Sequence, residues 1–441
     1  MTRAPDQALF FAPMLRRFAD DFKAVPNHMA EHGVATTVYI QPPPQTTDGR
    51  PTLSGRERLE RDRASFHSDI EHAELPLTLA SRSVFKSLAT IRLGWKLGRE
   101  NPDAIFVMWT IVPIILLGLP LRLLRRRCVF MACGMGSVFG GDTLAMRMLR
   151  IVVRLVYRYL FSGPNSRVIT HNEEDIRYLA ETLDVPVEHT VATPGCGVDP
   201  REFPFQRRPT NDLPIVLVPV RLLLQKGVLD AVETSRLLSS RGVAHRMWLS
   251  SDIDPGNPSS LSRAQLETLQ RTVPTVEVLG FQDQVQPLYR RCDLVLVPTK
   301  YREGLPTALI ESAASGRAIV TTDNYGGNEF VIDGVTGILV DKGDAIAMAD
   351  AIQALIENPE RMARMIEASY RRFLGGYTKL HMLQRTVELL RTLELDTPDI
   401  YFPDIHVNVG PPGDSDVNMH GDQPASQRRS VESEGGSGFI A

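Results

Sequence analysis

Two glutamates, Glu303 and Glu311, stand eight residues apart in "TKYREGLPTALIESAASGRAIVTT", with Gly-Leu-Pro between them. The apolar "LVLVP" before them and the pattern after them predict strand, loop, helix. Pro306 suits the first helical turn, where a missing N–H costs no bond, and Gly316 suits the C-terminal cap. Glu303 then lies in the loop beyond a strand's C-terminal end, and Glu311 on the helix behind it. Gly304 lets the backbone approach a ligand closely. The helix start, Gly304 to Thr307 with Leu305 and Pro306 between, offers free backbone N–H groups to an anion. A loop carboxylate, a row of amides and a second carboxylate fit a ligand with hydroxyls at both ends and phosphate between, such as a nucleotide sugar. On spacing alone, an exposed loop charge and a solvated helix position explain the two acids better.

Two cations belong to the same question. Arg221 ends the buried strand "LPIVLVPV", and Lys226 opens the helix that follows. Both can face one crevice. Taken singly, Lys226 reads as a solvated loop lysine.

The elements that must position these residues alternate. "ALFFAPM", "ATTVYI", "IFVMW", "CVFMA" and "SRVITH" read as strands in the first half, with helices near 16–31 and 144–161. "LPIVLVPV", "HRMWLS", "TVEVLG", "LVLVP", "AIVTT" and "GILV" read as strands in the second, mostly followed by helical runs. Alternation of this kind implies parallel sheets covered on both faces. Ligands of such sheets bind beyond the C-terminal strand ends. The expected division is 1–205, 206–375, a helix over 376–397 packing back on the N-terminal half, and a disordered tail over 398–441 rich in Gly, Pro, Ser and Asp.

The totals exclude some functions. The 441 residues allow two or three domains with real cores. A net charge of -3 gives no pull toward nucleic acid. Cys128, Cys133, Cys196 and Cys292 show no C-x-x-C spacing, which fits a reducing cytosol rather than a zinc site or a disulfide framework. "MTRAPDQALFFAPMLRRF" does not read as a secretory signal, because its apolar run is short and broken by Pro13. The uncharged stretch Ala104 to Leu121 touches the length of a membrane span. Pro113, Gly118 and Pro120 interrupt it, and a buried strand followed by a helix explains it better.

Several segments, in order, resemble one family. "REGLPTALIESAASGRAIVTT" is similar to the E-x7-E element of the group 1 (family 4 type) retaining glycosyltransferases, and "PVRLLLQKG" to their G-R-L-x-x-x-K-G element. "DIDPGNPSSLS", "VLGFQDQVQPLYRRCDLVLVP", "ITHNEEDIRYL" and "PGCGVDPREF" resemble further family segments. Members that build bacterial surface polysaccharides are the nearest in flavour. The resemblance implies the GT-B fold: α/β, two Rossmann-like doubly wound domains facing a cleft, acceptor in the first and donor in the second. It implies that Glu311 binds ribose hydroxyls, Glu303 contacts the transferred sugar, and Arg221 and Lys226 neutralise the diphosphate. Gly134 and Gly136, in "CGMGSVFGG", would approach the donor. That loop is neither a dinucleotide fingerprint nor a P-loop, and a tight turn without ligand is its bland alternative. Glu329, in "NYGGNEF", would lie on the donor side; helix capping explains it equally well. Cys133, Val220 and Ser251 depart from the family pattern, in which histidine, glycine and glycine are common.

The implied reaction keeps the configuration of the anomeric carbon, with a nucleotide diphosphate sugar as co-substrate, no cofactor and no catalytic metal. Two other readings remain: a catalytically silent assembly partner, and a sugar-nucleotide epimerase of the same fold. Arg147, Arg150, Arg154 and Arg158 form a basic stripe on the 144–161 helix. Such a helix could lie on anionic lipid at the inner face of a membrane, beside a lipid-linked acceptor. Packed on the sheet with its arginines in water, it would do neither.

Overall fold

The computed structural model describes residues 7–12, 22–40, 60, 62–75, 84–132, 144–254, 257, 259–282 and 284–394. The expected tail and the glycine loop at 133–141 lie outside them, as does the first part of the helix expected near 16–31.

The first sheet contains β1 (Gln7–Ala12), β2 (Ala35–Ile40), β3 (Glu71–Glu74), β4 (Ile105–Trp109), β5 (Arg127–Met131), β6 (Ser166–Thr170) and β7 (Thr190–Ala192). Its order is β3-β2-β1-β4-β5-β6-β7, with every pairing parallel. Its helices are α1 (Ala24–Glu31), α2 (Val84–Glu100), α3 (Ile111–Leu123), α4 (Leu144–Phe161) and α5 (Glu173–Leu183). The β4 strand is buried at all positions because both faces are covered. Phe10, Val107 and Val129 face one core with Met29 of α1. Phe106, Cys128 and Phe130 face the other with Leu117 of α3 and Leu160 of α4. The Ala104–Leu121 stretch is therefore strand β4 and most of helix α3. Among the described residues no helix is long and apolar enough to cross a membrane.

The second sheet contains β8 (Ile215–Val218), β9 (Arg246–Leu249), β10 (Val276–Val278), β11 (Leu294–Val297), β12 (Ala318–Thr322) and β13 (Ile338–Val340). Its order is β10-β9-β8-β11-β12-β13, again parallel throughout. Its helices are α6 (Val228–Ser240), α7 (Arg263–Thr272), α8 (Gln286–Arg291), α9 (Thr307–Ala314), α10 (Gly327–Phe330), α11 (Ala345–Glu357) and α12 (Pro359–Leu374). A fully buried Asp293 ties this half to the segment that precedes it. Its carboxylate accepts from Arg208 Nε at 2.6 Å, Asn211 Nδ2 at 2.8 Å and the Ile215 N–H at 2.8 Å.

The last helix, α13 (Lys379–Arg391), returns to the first sheet. Arg385 Nη1 donates to the Ala192 carbonyl at 2.8 Å, and Met382, Leu389 and Leu390 join the core on the α1 side.

Each sheet reverses its strand order once, between β1 and β4 and between β8 and β11. In doubly wound sheets the crevice outside the strand ends at that reversal is the ligand site. The loops leaving β8 and β11 carry Arg221, Lys226 and Glu303.

Candidate active site

The loop after β8 reaches Lys226 through a single 3-10 turn, Leu224–Lys226, and Gly227 ends it. Gly227 has φ +72°, and a Cβ there would stand 1.9 Å from the Pro298 carbonyl oxygen. Only glycine lets the two switch-point loops pass this closely. Their closeness puts Lys226 Nζ 2.5 Å from Glu303 Oε2, with both side chains mostly buried. Thr299 Oγ1 donates to the other oxygen of Glu303. Lys226 also lies over the Tyr301 ring, 5.1 Å from its centroid. Arg221 is exposed beyond the end of β8, and its side chain has no hydrogen-bond or ion-pair partner among the described residues.

Glu311 is held separately. Tyr289 of α8 donates its phenol hydrogen to Glu311 Oε2 at 2.6 Å. Tyr289 is wholly buried, edge-on to Phe203 at 5.7 Å. Burial, and then the Glu311 charge, push its hydroxyl well above the usual tyrosine range, so it stays a donor. Pro306 occupies the cap position of α9 rather than its first turn. Gly316 follows the Ser315 cap with φ +71°, the expected left-handed exit. Leu305 and Pro306 are buried, while Gly304 and Thr307 are partly open.

Three contacts join this half to the start of α5. Glu329 accepts from the Glu173 N–H at 3.1 Å and 3.2 Å, so it caps a helix of the other half. Burial raises the Glu329 carboxyl above the usual range, while the Glu173 N–H opposes the rise. Arg302 Nη2 donates to Asp175 Oδ1 at 2.6 Å. Burial raises the Asp175 carboxyl as well, with Arg302 opposing. Gly304 abuts His171, whose Cβ would lie 2.9 Å from a Cβ placed on the glycine.

Of the residues singled out in the sequence, Lys226 and Glu303 come together and Glu311 stands apart on its own partner. Glu329 is engaged with α5, and Gly134 and Gly136 lie outside the described residues. Tyr289, Thr299, Asp175 and Arg302 were not foreseen. Thr299 carried a signal, being four residues before Glu303 in the loop that leaves β11. An Asp-x-Asp pair, Asp252 and Asp254, occurs after β9. Asp252 accepts from the Ile253 N–H at 2.8 Å, and the Asp254 N–H donates to Ser260 Oγ at 2.8 Å, so both take part in local loop bonds.

Two parallel, doubly wound sheets, each reversing its strand order once, form the GT-B fold. Residues 199–372, about two fifths of the chain, match the family model "Glycosyl transferases group 1". It is 23% identical over 237 residues to the N,N'-diacetylbacillosaminyl-diphospho-undecaprenol alpha-1,3-N-acetylgalactosaminyltransferase of Campylobacter jejuni, covering 51% of this chain and 60% of that one. It is 23% identical over 272 residues to the amylovoran biosynthesis glycosyltransferase AmsK of Erwinia amylovora, covering 58% and 63%. These matches span about three fifths of the relatives' own lengths. Anabaena Alr3699/HepE, solved with UDP-glucose, shares the fold with a TM-score of 0.66 at 15% identity, over 88% of this chain and 99% of that one.

Proposed function

We propose that the chain is a retaining hexosyltransferase that takes a sugar from a nucleoside diphosphate and adds it to a glycan or lipid-linked acceptor in surface-polysaccharide synthesis. The observation that carries this reading is the 2.5 Å contact between Lys226 and Glu303 at the switch point. In a sugar nucleotide, the sugar and the diphosphate meet at the bond that breaks. A group for sugar hydroxyls and a group for phosphate must therefore adjoin. Glu303 takes the sugar hydroxyls, Lys226 and the exposed Arg221 take the diphosphate, and Glu311 takes the ribose. Gly304 to Thr307 let the backbone approach the donor, and the resemblance assigns Gly134 and Gly136 to the same ligand. Glu329 serves as a strut on α5 rather than as a donor ligand.

The C1–O bond to the diphosphate breaks while the acceptor oxygen bonds to C1 on the same face. The acceptor's proton passes to the departing phosphate oxygen. Lys226 and Arg221 stabilise the negative charge that grows there. No protein nucleophile is required.

The 206–375 half holds the donor and the 1–205 half the acceptor. The diphospho-undecaprenol in the Campylobacter relative's name and the UDP-glucose bound by HepE support a lipid-linked acceptor and a UDP-sugar. Helix α4 supports the same side of the reading. Met148, Ile151, Val152 and Leu155 are each more than half exposed on it, beside Arg147, Arg150, Arg154 and Arg158. Such a face suits the anionic inner surface of a membrane.

The test is the anomeric configuration of the transferred sugar in the isolated product, read by NMR. The donor's own configuration is expected; an inverted centre contradicts the mechanism.

A further inference from the structure

Glu303 stands between two residues that both touch the N-terminal half. Before it, Arg302 donates to Asp175 Oδ1 from Nη2 at 2.6 Å and from Nε at 3.2 Å. After it, Gly304 has room only for a hydrogen against His171. Asp175 is 0% exposed, and its other oxygen accepts from Asn172 Nδ2 at 3.0 Å. Asn172 is in turn the N-cap of α5, accepting from the Asp175 N–H at 2.7 Å. The guanidinium of Arg302 lies 5.3 Å from the Tyr178 ring of α5 and 4.3 Å from the Tyr325 ring of the donor half.

A buried ion pair is a poor source of stability compared with apolar side chains of the same volume. What it supplies is direction. A planar guanidinium held between two rings and bonded to a carboxylate that is itself fixed has little freedom left. The next residue in the chain is Glu303. Its backbone is thus set from both sides by the stretch His171 to Tyr178, while its side chain meets Thr299 and Lys226. Glu311 is fixed differently, by Tyr289 on α8 of its own half.

We propose that Arg302 is a positioning residue: through Asp175, the acceptor half sets the loop that presents Glu303 to the transferred sugar. The proposal rests on the donor-site reading above and adds a division of labour to it. Docking of the halves governs turnover, whereas Glu311 binds donor without that contact.

The test compares wild type, Arg302→Lys, Arg302→Gln and Asp175→Asn in the full chain. Hydrogen–deuterium exchange is followed on the protein alone. Binding and nucleoside diphosphate release are measured with UDP-glucose, UDP-N-acetylglucosamine, UDP-N-acetylgalactosamine and GDP-mannose. Peptides over 298–306 should exchange about tenfold faster or more in Arg302→Gln and Asp175→Asn, while those over 294–297 keep their protection. Turnover should fall about tenfold to a hundredfold, with a much smaller change in the donor dissociation constant. Arg302→Lys, which keeps the charge and one bond, should lie between and guards against a variant that fails to fold. Unchanged loop exchange overturns the proposal. So does a loosened loop with wild-type turnover, or donor affinity that falls in step with turnover. A wild type that binds none of these sugar nucleotides overturns the donor reading and the catalytic part of the proposal; the exchange comparison still decides whether Asp175 sets the loop.

Discussion

The phenol of Tyr289 donates a 2.6 Å hydrogen bond to the carboxylate of Glu311, although the two lie on different helices, α8 and α9. The bond orients the acid proposed to meet the donor's ribose. Tyr289→Phe keeps the ring that packs on Phe203 and removes the hydroxyl's bonds to Glu311 and Ser312. A hydrogen bond to a charged group is worth about 1.5–3 kcal/mol, so donor affinity should fall about tenfold to a hundredfold. Titration of the variant with donor, beside its melting temperature, checks this. Equal affinity in the two proteins would remove Tyr289 from the site.

Gly227 is the point where backbone sterics and chemistry meet. Gly227→Ala should cost on the order of 2 kcal/mol or more, since both the φ of +72° and the Pro298 carbonyl 1.9 Å away oppose a Cβ. Gly242 is the control. It has φ +76° with nothing within 4 Å of the added carbon, so Gly242→Ala should cost only about 1–2 kcal/mol of backbone strain. Denaturant melts of the two variants test the difference, and equal losses would contradict the close approach of the loops.

Acid should destabilise the fold through histidine. Burial holds His28, His72, His189, His245 and His381 below the usual 6.5. The unfolded chain therefore takes up protons first as pH falls. Stability is complete above 6.5 and is lost as pH drops from there through the folded values, by at most about 1.4 kcal/mol per pH unit for each group. In His245 burial lowers the value and the Val243 carbonyl, 2.9 Å from Nδ1, opposes it; with that nitrogen carrying the hydrogen, Nε2 accepts from Ser235 at 2.8 Å. Melting temperature against pH should decline below 6.5, and less steeply in His245→Phe. An identical slope in that variant would contradict the assignment.

Helix α4 should bind anionic vesicles. Its inner side packs Val153, Tyr157 and Leu160 into the core, yet Leu155 is 64% and Met148 59% exposed. Changing Arg147, Arg150, Arg154 and Arg158 to glutamine should weaken binding to phosphatidylglycerol vesicles by at least about tenfold. Full vesicle affinity in the quadruple variant would rule out this face.

Much of the fold was legible because its inner strands are short runs of Val, Ile, Leu and Phe buried on both sides. Strand β3 was not. "EHAE" has no apolar pattern, because this edge strand is joined to the sheet through β2 alone. In the candidate site, Lys226, Glu303 and Glu311 were marked by the family resemblance, not by spacing alone. Their partners were not, since nothing local marks Tyr289 as facing Glu311, or Asp175 as reaching Arg302 across 127 residues. The same distance hid the role of Glu329, whose capped helix starts 156 residues away.

The central claim is that Glu311 and the switch-point loops hold a sugar nucleotide. Thermal shift with UDP-, GDP- and ADP-sugars, on wild type and Glu311→Ala, tests it most directly. One sugar nucleotide should stabilise the wild type, and the variant should bind it about tenfold to a hundredfold more weakly. No shift with any of them, or equal shifts in both proteins, would contradict the account.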